Sequence, residues 1–317
     1  MVICVIIVAV KNKIALGCDS KIFRCGKNID EIMSTALELG VNIFDTARGY
    51  GKSEETLGKY IRSHGNREDY FVITKGCLPA LFSRLNPKEL RKDIEKSLKT
   101  LDIGYIDLYL LHRDDKRCDF KEILNVLNEY VKKGKIKEYG LSNYRADRIE
   151  EINKLAKELG YQKIKSVSNN FTIIPWNKDP WGGGDGCVSV SDKISDLSYY
   201  KKENIINYSY SPLARGFLSG KIKYNNPSTF KYLDNASKKA YLSKDNLLRL
   251  EKLEQIAYRL NLDLASLSIA YICNISPKNI PIIGTISINR LKQNFAASQI
   301  ILDDEILKEI REITLLR

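Results

Sequence analysis

VNIFDTARGYGKSEETLG, residues 41–58, begins as an apolar run and breaks at Asp45 into a glycine-flanked turn that carries the phenol of Tyr50. A phenol, with an unperturbed pKa of about 10, is a poor acid at neutral pH and needs a nearby cation to stabilise its phenolate. The next apolar run, YFVITKG (70–76), delivers a cation as Lys75, and a third, YIDLYLLHR (105–113), delivers His112. Three successive strand candidates therefore present an ionisable group at the same end. Parallel strands assemble a site in this way.

Outward from these three, short β-branched runs alternate with longer amphipathic ones along the chain, the signature of repeated βαβ units. Eight strands are expected: IALGC (14–18), VNIFD (41–45), YFVITK (70–75), YIDLYLLH (105–112), IKEYGLS (136–142), IKSVSNN (164–170), IINYSY (205–210) and IPIIG (280–284). Eight is the number a closed (β/α)8 TIM barrel requires. Helices fit between them over 30–39 and 53–64, closed by Gly40 and Gly65. Another opens at Asn86-Pro87, with proline at its first position. Further helices are read over 120–132, 145–159, 244–260 and 265–273, and 303–313 forms an extra C-terminal helix. Two connections, 172–188 after the sixth strand and 211–243 after the seventh, are long enough to carry function. No linker interrupts the pattern, so residues 1–317 are read as a single α/β domain.

The composition is that of a globular chain, 44% apolar and 28% charged. The net charge of +12 comes from 51 Lys and Arg mixed with 39 Asp and Glu, without a basic tail or basic–aromatic motif, and argues against nucleic-acid binding. The seven cysteines contain no C-x-x-C and the two histidines lie far apart, so a reduced, cytoplasmic chain without a metal site is expected. MVICVIIVAV is too short to span a membrane and lacks a basic n-region, and it reads as a buried strand or hairpin.

Gly51-Lys52-Ser53 has the tail of a phosphate loop but not its upstream glycine, since Thr46 and Ala47 stand there. The glycines at 182–184 lack the strand and helix of a dinucleotide fingerprint and read as a flexible loop. Singly, Asp45 reads as a turn cap, Tyr50 as a packed aromatic, Lys75 as a surface amine and His112 as a core histidine. Together, at the C-terminal ends of neighbouring barrel strands, they read as a functional cluster.

These residues also carry a resemblance. GVNIFDTARGYGKSEETLG, VITKG, IDLYLLHRDD, YGLSNY, YSPLARGFLSGK and IPIIGT followed by R-L-x-x-N are similar to aldo-keto reductase segments, in family order over nearly the whole chain. The resemblance implies a (β/α)8 barrel that reduces a small-molecule aldehyde or ketone with a nicotinamide cofactor, with its four catalytic positions on Asp45, Tyr50, Lys75 and His112. It implies that Tyr50 donates the proton, Lys75 lowers the phenol's pKa, Asp45 anchors Lys75 and His112 orients the carbonyl. Ser142 and Asn143 would hold the nicotinamide carboxamide, Tyr210 would stack on the ring, and the loop with Ser211, Leu213 and Arg215 would cross the pyrophosphate. Gly284, Thr285, Arg290 and Asn294 would meet the adenosine phosphate, with Arg290 favouring NADPH and leaving NADH as the weaker alternative. The chain departs from the family at Ser168, where many members carry glutamine, with Asn169 or water as the substitute contact. It departs also at Gly284, where some carry lysine, and at the N-terminal opening. Phe23, Phe171, Trp176 and Trp181 are expected to form the pocket wall. The protein is read as a monomer or small homo-oligomer. The rival reading is an NADP(H)-sensing binding protein with little turnover.

Overall fold

The computed structural model describes residues 13–79, 84–181, 186–192, 195–276 and 278–315. The opening strand or hairpin and the 182–184 loop expected from the sequence lie outside the described residues.

The eight strands are β1 Ala15–Gly17, β2 Ile43–Asp45, β3 Phe71–Gly76, β4 Ile106–Leu111, β5 Ile136–Ser142, β6 Ser166–Ser168, β7 Ile206–Ser209 and β8 Asn279–Ile283. Each runs parallel to the next, and β1 pairs with β8 through Leu16 and Ile283 to close the barrel. Twelve α-helices are described: α1 Lys21–Arg24, α2 Asp30–Glu38, α3 Ser53–Ser63, α4 Pro87–Leu101, α5 Phe120–Lys132, α6 Ala146–Glu158, α7 Ser195–Glu203, α8 Asn235–Tyr241, α9 Lys244–Arg259, α10 Leu264–Ile275, α11 Ile288–Ser298 and α12 Asp304–Leu315. Among the described residues, no helix is long and apolar enough to cross a membrane.

Local chemistry sets the helix boundaries. Asn86 accepts a hydrogen bond from the Glu89 amide at 3.0 Å, satisfying one of the donors left free at the start of α4. That helix buries Leu90, Ile94 and Leu101 on one face and stops where Asp102 turns left-handed at φ 52°. At Gly58 of α3, a Cβ would lie 2.0 Å from the Leu101 carbonyl oxygen, so only glycine permits this approach of α3 to α4.

The barrel separates two apolar layers. Inside lie Ala15, Ile43, Ile73, Leu108, Leu110, Tyr208 and Ile282. Between sheet and helices lies a much larger shell that includes Phe44, Val72, Tyr109, Leu111 and Leu141. Each fully buried aliphatic side chain in either layer contributes about 1.5–3 kcal/mol relative to exposure.

The alternation of strand side chains then fixes the site. Asp45 stands two residues beyond Ile43, Lys75 two beyond Ile73, His112 two beyond Leu110 and Tyr210 two beyond Tyr208. With a side-chain period of two, the inward stripe therefore emerges at the C-terminal rim as polar groups. The connection after β7 contains structure that the sequence reading left as loop, two 3-10 turns and α8, and α7 precedes β7 in a stretch to which the reading assigned no element.

Candidate active site

Asp45 closes β2 and Lys75 lies near the end of β3, where parallel register sets Asp45 beside Ile73. The Lys75 ammonium donates to Asp45 Oδ1 and, at 3.0 Å, to the Thr46 carbonyl. Both residues are buried, and removing one partner of such a pair costs about 3–5 kcal/mol. Burial outweighs the ammonium's pull and holds the Asp45 carboxyl above its usual range.

Tyr50 is carried on the turn between β2 and α3, where its amide donates to the Ala47 carbonyl at 3.0 Å. Buried contacts fix that turn: the Ser53 hydroxyl bridges to Thr46 and to the Cys18 carbonyl. The Arg48 guanidinium pairs with buried Glu54, which also accepts from Thr74 at 2.7 Å. The Tyr50 ring centroid lies 5.2 Å from the Lys75 ammonium and meets the His112 ring edge-on, with centroids 6.1 Å apart. The phenol is held well above its ordinary pKa, first by burial and then by the Asp45 and Asp19 carboxylates. This departs from the expected lowering by Lys75. The physical reason is that burial, together with the carboxylates of Asp45 and Asp19, outweighs the stabilisation that the Lys75 ammonium gives the phenolate.

The His112 amide continues the ladder to the Gly76 carbonyl at 2.9 Å, and its ring is pushed well below the usual histidine pKa by burial, then by Lys75 and Arg113. The imidazole is therefore neutral near pH 7. Its Nδ1 is buried without a hydrogen-bond partner.

Asn143, at φ 67°, links the strand ends beyond β5. Its amide nitrogen donates to the His112 carbonyl at 3.0 Å and the Ser142 hydroxyl at 3.1 Å, and its Oδ1 accepts from the Val188 amide at 3.1 Å and the Tyr210 hydroxyl at 2.6 Å. Ser142 in turn donates to the Ser168 carbonyl at 2.8 Å. The Ser168 hydroxyl is buried without a partner. Asn169, expected as a substitute contact there, directs its amide to the Tyr144 carbonyl and the Tyr200 hydroxyl, away from the cavity.

The segment after β7 is strained. Ser211, Ala214 and Arg215 adopt φ values of 54°, 48° and 53°, each costing about 1–3 kcal/mol in a residue with a Cβ. Its shape is held by the Ser268 hydroxyl on the Pro212 carbonyl at 2.9 Å and by Arg215 paired with Asp234 at 2.8 Å. After β8, Thr285 accepts from the Ser287 amide at 3.1 Å and Ser287 caps α11, whose first turn exposes Arg290.

A cavity of about 630 Å³ gathers all of these positions at one rim. Asp45, Tyr50, Lys75 and His112 line it together with Ser142, Asn143, Ser168, Tyr210, Ser211, Leu213, Arg215, Gly284, Thr285, Arg290 and Asn294. Of the four expected wall aromatics, only Trp181 lines it, seated against Tyr210 and under the Arg215 guanidinium, whose carbon lies 5.0 Å from its ring. Phe23 and Phe171 are buried in the outer shell instead, and Trp176 packs on that shell and on Trp181. The sequence reading missed Asp19, Arg113 and Cys187, which also line the cavity. Adjacency to His112 was the available signal for Arg113.

The family model for the Aldo/keto reductase family matches residues 27–315. The chain is similar to aldo-keto reductase yakc [NADP(+)] of Schizosaccharomyces pombe, 28% identical over 94% of this chain and 87% of that protein. It is also similar to aldo-keto reductase str7 of Strobilurus tenacellus, 27% identical over 89% of this chain and 80% of that protein. A solved structure described as a candidate 2,5-diketo-D-gluconic acid reductase B superposes with a TM-score of 0.68 at 20% identity, covering 95% of this chain and 87% of that one, and shares the fold. With that match running from ahead of α2 to the end of α12, on a closed barrel whose rim collects the expected residues, the chain belongs to the aldo/keto reductase family.

Proposed function

We propose that the protein is an NADPH-dependent reductase of aldehydes or ketones in which Tyr50 is the proton donor. The observation that carries this reading is the convergence of Tyr50, His112 and the Asp45–Lys75 pair on one cavity. When bound, the nicotinamide supplies a hydride for the carbonyl carbon. The chain's own part is positioning and protonation. Tyr50, held protonated by burial and its carboxylate neighbours, delivers its phenolic proton to the carbonyl oxygen. The neutral imidazole of His112, edge-on to that phenol, donates a hydrogen bond to the same oxygen and fixes its position. Lys75, anchored by Asp45 and the Thr46 carbonyl, stabilises the phenolate that remains.

The cavity fits such a cofactor in several respects. Ser142, Asn143 and Ser168 line the cavity where the carboxamide would be held, with the unpartnered Ser168 hydroxyl available to it, and the Tyr210 ring offers a flat face that its own hydroxyl fixes through Asn143. The strained loop at Ser211–Gly216 presents backbone to the pyrophosphate. Gly284 leaves open space, with nothing within 4 Å of where a Cβ would stand, beside Arg290 for a 2′-phosphate. The test is loss of reduced-nicotinamide absorbance with a panel of aldehydes, ketones and quinones. Binding of NADPH without steady-state flux across the panel would overturn this reading in favour of an NADP(H)-sensing protein.

A further inference from the structure

The connections that enter the barrel at its N-terminal end differ in charge between its two halves. Ahead of β2, β3 and β4, residues 39–42, 64–70 and 102–105 carry Glu68, Asp69 and Asp102 against Arg67 alone. Ahead of β5 to β8 the pattern reverses. Lys135 stands one residue before β5, Lys163 and Lys165 run into β6, Lys201 and Lys202 lie in the last turn of α7 just before β7, and Lys278 immediately precedes β8.

Backbone pairing puts these lysines on one edge. The Lys135 carbonyl accepts from the Ile106 amide at 3.0 Å, the Lys165 carbonyl from the Ile206 amide at 2.8 Å, and the Lys278 carbonyl from the Asn207 amide at 2.8 Å, each one rung ahead of its own strand. All but Lys278 are exposed. Among the described residues none of these ammonium groups forms an ion pair, and Lys165 donates instead to the Glu203 carbonyl at 2.6 Å. Glu138, Glu158 and Glu203 are the carboxylates on this side, so the edge keeps an excess of positive charge.

We propose that this half of the barrel floor docks on a membrane surface carrying anionic lipid. The cations are spread across the end of a barrel, from β5 round to β8, and a plane of headgroups can meet them together, whereas a nucleic-acid strand would follow a row. Tyr105, the aromatic at the head of β4, is already engaged by Arg67 and Lys137, at 4.0 and 4.5 Å from its centroid, rather than offered to a base. The strands are all parallel, so the cavity lies at the opposite rim. A molecule held by its floor keeps the Tyr50–His112 end open to solvent. Docking is independent of the chemistry proposed above.

The test is co-sedimentation with phosphatidylcholine vesicles, with and without phosphatidylserine, at low and raised salt. Binding is expected only with phosphatidylserine and should weaken as salt screens it. A lysine near a charged bilayer is worth about fivefold in association, so the triple variant Lys135→Gln/Lys163→Gln/Lys201→Gln should bind on the order of a hundredfold more weakly. A second triple, Lys88→Gln/Lys96→Gln/Lys99→Gln, removes the same charge from the exposed side of α4 and should bind as the parent does. The single variants Lys135→Gln and Lys163→Gln, each expected to bind about fivefold more weakly, carry the test if the floor triple does not fold. Absence of binding at low salt, or equal weakening by the α4 triple, overturns the proposal. Tighter binding to an oligonucleotide than to the phosphatidylserine vesicles at the same salt overturns it as well.

Discussion

The hydroxyl of Tyr210 donates to Asn143 Oδ1 at 2.6 Å, joining the end of β7 to the turn beyond β5. The same oxygen accepts from the Val188 amide, so one side chain holds three segments of the rim in register. Tyr210→Phe keeps the ring and removes this tether. Loss of one such bond costs about 1 kcal/mol, so NADPH affinity should fall by roughly fivefold. Tyr210→Ala, which also removes the flat face, should fall further. Equal affinity of Tyr210→Ala and parent in fluorescence titrations would remove Tyr210 from the cofactor site.

Tyr50→Phe preserves the ring against His112 and removes only the proton. Turnover should drop by about 10²–10⁴-fold while NADPH still binds. A variant that retains turnover would exclude Tyr50 as the donor.

The Tyr50 phenol is raised by burial, Asp45 and Asp19, and lowered by Arg24. Carbonyl reduction requires the protonated phenol, so activity should persist into alkaline solution. Removing a negative neighbour in Asp19→Asn should move the alkaline limb of the kcat profile to lower pH. Arg24→Gln should move it the other way. Shifts of the same sign in both variants would contradict the electrostatic account.

His112 bears on stability as well. Its folded pKa is depressed, so below the unfolded value of about 6.5 the unfolded chain takes up a proton that the folded chain refuses. Stability should therefore fall as pH drops beneath that value. Asp45, raised by burial, acts in the opposite sense only lower, where carboxyls titrate. Melting temperatures between neutral and mildly acidic pH should decline less steeply in His112→Gln than in the parent, and parallel curves would refute the linkage.

Arg290 is exposed on the cavity rim, and the wall at Gly284 is open. Arg290→Ala should weaken NADPH by about ten- to a hundredfold, the weight of a charge-assisted pair, and barely affect NADH. Gly284→Lys, which meets no steric obstacle at its Cβ, should strengthen NADPH selectivity. Equal affinities of the parent for the two cofactors would overturn the assignment.

The barrel and its rim were legible in the sequence because parallel strands buried on both faces read as apolar runs, and because Asp45, Lys75 and His112 each interrupt one at its end. Pattern reading failed where side-chain direction depends on distant partners. Phe23 and Phe171 look like wall residues by position, yet the helical shell takes both. Asn169 is next to Ser168, but Tyr144 and Tyr200 draw its amide away. The helix α7 lacks a sharp apolar stripe, burying only Asp196 and Tyr200, and so was left unassigned. The phenol's pKa was misjudged because counting Lys75 alone leaves out burial and the carboxylates of Asp45 and Asp19, which outweigh it.

The strand order also divides labour along the chain. Asp45, Tyr50, Lys75 and His112 all come from β1–β4 and their loops, whereas the expected cofactor contacts from Ser142 to Asn294 all come from β5–β8. The seam between these halves runs through the β4–β5 ladder and the β1–β8 closure. A chimera that takes its second half from an NADH-selective relative should inherit that relative's coenzyme choice while keeping this chain's proton chemistry, so the two properties can be inherited separately.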